Sequence, residues 1–152
     1  MVDIVHRVGI KAPASKVYAA LSTVDGLASW WTAATTGHSE VGGVVAFRFH
    51  TETGDEIGGF DMDVLELAPD QKVRWRVKAG PDEWVGTDIE FFLSHQDGYT
   101  IVMFGHRKWR EEVEFMAHCS TKWATFLLSL RDLVETGQGR PAPHDLRIGN
   151  WH

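Results

Sequence analysis

The sequence predicts an α+β fold: a curved antiparallel sheet of about six or seven strands around a long C-terminal helix, with two short helices between strands 1 and 2. Three observations predict it. Glu111 to Gly137 repeats apolar residues at helical spacing, whereas from Gly42 to Gly105 the apolar period falls to two, interrupted by short polar turns. The chain has 152 residues, 43% of them hydrophobic and 24% charged, which suits one core rather than two.

In chain order, Ile4, His6, Val8 and Ile10 share one parity opposite Arg7 and Lys11, a half-buried strand over Asp3 to Lys11. Pro13 suits a first helical turn, and Val17, Tyr18 and Leu21 give a short amphipathic helix to Ser22. Asp25 opens a second one to Trp31, carrying Leu27 and Trp30. Val45, Phe47 and Phe49 then alternate with Ala46, Arg48 and His50, the polar run Thr51 to Asp55 turns, and Ile57 to Leu67 returns with Phe60, Met62 and Val64 on one side. Lys72 to Lys78 sets Val73, Trp75 and Val77 against Arg74, Arg76 and Lys78. A longer strand is expected over Trp84 to Ser94, presenting Thr87, Ile89, Phe91 and Leu93, and after Gln96-Asp97-Gly98 a last strand is lined by Tyr99, Ile101, Met103 and Gly105. Strands joined by such short turns are antiparallel neighbours.

In the long helix, Met116, Cys119, Trp123, Leu127, Leu130 and Val134 form one stripe flanked by Phe115, Phe126 and Leu133, and the opposite side carries Lys122, Ser129, Arg131, Asp132 and Glu135. Gly137 fits the stop position. A rod of about 26 residues, about 40 Å, cannot fill the hollow of a strongly twisted sheet, and the shortfall is a cavity. Residues 1–137 are therefore read as the domain and 138–152 as an irregular tail with Trp151 as its anchor.

Composition narrows the function classes. A net charge of −6 argues against a phosphate-binding surface, so no nucleic-acid partner is expected. Cys119 is the single cysteine, which rules out an internal disulfide and suggests a reducing, cytoplasmic setting. No apolar run reaches membrane-spanning length.

Several stretches together carry a family resemblance: IKAPASKVYAALS, GLASWW, VGGVVAFRF, a Trp-centred strand ending in KAG, and HCSTKWATFLLSLRDLVETG. They resemble the START-like, helix-grip superfamily, also called SRPBCC, in the branch named for the activator of the ninety-kilodalton heat-shock ATPase. The resemblance spans about Ile4 to Gly137 and implies a sheet gripping the C-terminal helix over a hydrophobic tunnel. Superfamily members include lipid carriers, hormone receptors, aromatic cyclases and chaperone activators, so the fold alone does not assign an activity. The sequence lacks the N-terminal domain of the eukaryotic chaperone activators, which places a chaperone partner below a small hydrophobic ligand. A monomer or homodimer is expected.

The expected function is binding of a small hydrophobic, aromatic or lipid-like ligand by Trp31, Phe47, Phe49, Met62, Trp75, Phe91, Met103, Met116, Cys119 and Trp123. The same residues serve equally as ordinary core. His6, on the apolar parity of its strand, is either a polar handle for the ligand or a core histidine bonded to backbone. The alternatives are a cyclase or dehydratase acting on a polyketide-like or aromatic substrate, and a chaperone-activator-like interaction module. No catalytic motif, cofactor or metal is expected: His118 and Cys119 are helix neighbours about 100° apart, and His6, His38, His50 and His106 have no i, i+4 partner.

Overall fold

Alternating apolar residues build the sheet strand by strand. The computed structural model describes residues 1–152, with strands β1 (Val2–Ile10), β2 (Ala34–Gly37), β3 (Val44–His50), β4 (Glu56–Ala68), β5 (Lys72–Ala79), β6 (Asp88–Gln96) and β7 (Tyr99–Trp109). They form one antiparallel sheet in the order β1-β7-β6-β5-β4-β3-β2. Helices α1 (Ala14–Ser22) and α2 (Val24–Trp30) lie between β1 and β2, and α3 (Glu114–Thr136) follows β7. This is the helix-grip arrangement. Register shifts in β4 at Asp61/Met62 and Val64/Glu66 are bulges of the kind that bend a sheet.

The local signals for helix ends are present. Thr23 accepts the Gly26 N–H at the start of α2, and Gly137, at φ 88°, ends α3 in the left-handed conformation with its N–H donated to the Leu133 carbonyl. The inner face of the sheet buries Val45, Phe47, Met62, Trp75, Phe91 and Phe104. On the outer face Asp88 of β6 is buried among Arg74, Arg76 and Lys108, which hydrogen-bond or pair with it at 2.8–2.9 Å.

One strand leaves no trace in the sequence pattern, and three readings of the sequence need correction. β2 has no alternating apolar pattern and exists through its pairing with β3, Ala34 opposite Arg48 to Gly37 opposite Val45. The segment before Asp88 is not strand: Trp84 N–H donates to Pro81 O and Thr87 N–H to Trp84 O, making a compact turn. In β7 the inward residues are Val102 and Phe104, so Met103 lies on the outer face, 39% exposed; a continuous run of apolar residues does not reveal which parity is buried. Finally, Ser129 is buried and the Lys122 side chain is only 15% exposed, because the tail after α3 folds back over the flank of the helix whose polar pattern predicts exposure.

Candidate functional site

Rings from separated stretches meet where the first half of α3 passes over the β3–β4 hairpin. A cavity of about 580 Å³ opens there, with walls from the hairpin, α3, the Pro81–Trp84 turn and the tail. Its floor is formed by Trp31, Trp84 and Trp123, each nearly fully buried, while Phe49, Phe60 and Phe126 line the sides. Phe60 and Trp84 stack at 3.9 Å with planes 2° apart, and Trp31 and Trp123 meet at 4.8 Å. Such contacts hold the rings as a wall rather than as loose side chains.

A buried histidine sets the positions of two floor residues. Trp123 Nε1–H donates to His106 Nδ1 at 3.1 Å, so the ring proton sits on Nε2, which donates to Thr87 Oγ1 at 2.8 Å. The Thr87 hydroxyl in turn donates to the Trp84 carbonyl. Burial lowers the His106 pKa to about 3, against the opposing pull of the Asp88 charge. The neutral ring this ensures is the one the geometry requires, since a second proton on Nδ1 would face the Trp123 donor.

The residues singled out in the sequence divide into groups. Trp31, Phe49, Cys119 and Trp123 line the cavity. Phe47, Met62, Trp75 and Phe91 are fully buried behind it in the solid core, Met116 is half-buried away from it, and Met103 is on the far face of the sheet. His6 ties β1 to α3 instead of facing the cavity: its Nε2 lies 3.0 Å from the Ser120 carbonyl. His118, expected to face away from Cys119, reaches the cavity rim because the tail crosses there, its Nε2 donating to the His152 carbonyl at 3.1 Å. No hydrogen bond joins it to Cys119, and burial pushes that thiol up to about 12, which keeps it protonated.

The structure adds Trp84, Phe60 and Lys122 to the lining, although the sequence pattern places Trp84 on a strand, Phe60 in a parity set and Lys122 on the wet face of the helix. The Lys122 ammonium pairs with the Asp145 carboxylate and donates to the Leu146 carbonyl at 2.9 Å. No group of three or more histidine, cysteine or acidic side chains comes together as a metal site. No helix is long and apolar enough to cross a membrane.

Residues 11–135 match the family described as Activator of Hsp90 ATPase homolog 1-like protein. The solution structure of the Aha1 dimer from Colwellia psychrerythraea is 45% identical, with 91% of this chain and 100% of that chain covered and a TM-score of 0.77. An AHSA1-like protein from Aeromonas hydrophila (16% identity, 90% and 94% covered, TM-score 0.73) and CalU16 from Micromonospora echinospora (18%, 93% and 77%, 0.72) share the fold. No curated protein matches the chain.

Proposed function

The chain belongs to the Activator of Hsp90 ATPase homolog 1-like family, and from that premise we propose that it binds a small apolar, aromatic or lipid-like molecule in the cavity beneath α3. The cavity itself carries this reading: about 580 Å³ over a floor of three tryptophans is in the size range of small-molecule sites. Trp31, Phe49, Cys119 and Trp123 are then direct contacts, joined by Phe60 and Trp84. Phe47, Met62, Trp75 and Phe91 support that wall from behind. With a single thiol, the carrier suits the cytoplasm.

Native mass spectrometry of gently purified protein, together with thermal shifts across a panel of apolar and aromatic compounds, tests the reading. The expected result is a co-purifying mass, or a midpoint raised by several degrees with quenching of tryptophan emission. Protein that is empty and indifferent to the whole panel would refute it.

A further inference from the structure

We propose that the ligand is an apolar molecule ending in a carboxylate, and that this carboxylate takes the place at Lys122 now held by Asp145 of the tail. The inference rests on the carrier reading above and adds the chemistry of one end of the ligand.

Lys122 is the one lysine or arginine that the sheet and helices supply to the cavity wall; the other lining cation, Arg147, belongs to the tail itself. Glu52, the acidic residue of the fixed wall, sits at the exposed tip of the β3–β4 turn. The Lys122 ammonium lies 5.2 Å from the centroid of the Phe126 ring, among the apolar walls. A cation enclosed to this degree needs an anion beside it, and that anion is now Asp145, itself only 19% exposed. Whatever displaces Asp145 must bring a negative charge of its own.

The tail is built so that Asp145 can leave. Its first part is clamped: Arg140 N–H donates to Ser129 Oγ at 2.7 Å, Ala142 N–H to Trp31 O at 2.8 Å, and Ala33 N–H to Ala142 O at 3.0 Å. Beyond Ala142 no main-chain-to-main-chain hydrogen bond joins the tail to the sheet or to a helix. That distal part is held through the Lys122 contacts, the His118 bond to His152 O, and packing of the Trp151 ring against His118 and Phe115. An entering carboxylate exchanges one anion for another at Lys122. A neutral molecule of the same shape gains nothing there.

Isothermal titration of the full chain with decanoate and with decanol, which differ only at the head, tests this. Asp145→Asn removes the internal competitor and should tighten decanoate by about tenfold, Lys122→Met should weaken it by about tenfold, and decanol should move less than about twofold in either variant. Decanol following decanoate, or Asp145→Asn weakening decanoate, overturns the inference. Should Lys122→Met fail to fold, the Asp145→Asn comparison decides alone. If neither compound binds the unaltered protein, the carboxylate assignment falls, while the carrier reading stands or falls on the wider panel. If decanol binds but the variants do not separate the two heads, only the carboxylate assignment falls.

Discussion

The two halves of α3 bury the same kinds of side chain and come to different ends. Toward its C-terminus, Leu127 and Leu130 are sealed into solid packing, and Ser129 donates to the Trp30 carbonyl at 2.8 Å. Toward its N-terminus, Cys119, Trp123 and Phe126 are equally buried but look onto open space. What differs is the element opposite. Beneath the C-terminal half α2 fills the wedge with Trp30, fully buried and donating its indole N–H to Ala20 O at 2.8 Å. Beside the N-terminal half, β1 and β7 back one flank through His6 and His106, but the other flank faces a hairpin end and a turn, and the remaining wall is the tail. A cavity here is a missing helix rather than a special lining.

That contrast breaks most sharply by truncating one ring in the solid packing and one on the open rim. Phe91→Ala, in the packed core at 0% exposure, should cost about 3–5 kcal/mol in urea unfolding, because the cavity it leaves cannot collapse. An equal cost for a ring on the open rim would show that the cavity is packed after all.

The next effect concerns the buried histidine that steadies the cavity floor. With a folded pKa near 3 and an ordinary unfolded value of about 6.5, the unfolded chain binds the extra proton between those limits, so stability falls as pH drops through that window. The slope approaches about 1.4 kcal/mol per pH unit, or about 2–3 kcal/mol between pH 7 and pH 4.5. His106→Gln should flatten this stretch of the unfolding profile. Asp88 acts lower on the scale: burial alone would raise its pKa, but hydrogen bonds from Arg76, Lys108 and Arg74 outweigh it and hold the carboxyl well below the usual range. Its contribution is present above about pH 4 and is lost as pH falls further. A slope unchanged in His106→Gln would assign the pH dependence to groups other than this histidine.

The smallest effect belongs to the cavity rim. Phe115, half-buried and lining the opening, should cost less than about 1 kcal/mol in thermal or urea unfolding when changed to Ala, since little packing closes over it.

Much of the architecture follows from local pattern. The period of two in β3, β4 and β5 and the Trp123 stripe of α3 prescribe elements whose apolar sides must face each other, whatever else the chain does. The sequence by itself thus determined the sheet, the helix that closes it and the presence of large rings between them. It did not determine which parity of β7 points inward, because Ile101 to Phe104 is apolar on both sides, nor that Lys122 and Ser129 are covered, because no periodicity reports a tail folding back from beyond Gly137. Only the tertiary structure placed Trp84, Phe60 and Lys122 on one cavity and left Phe47, Met62, Trp75 and Phe91 behind it. The reason is physical: burial pattern belongs to a single element, whereas an unfilled volume depends on how several elements fail to meet.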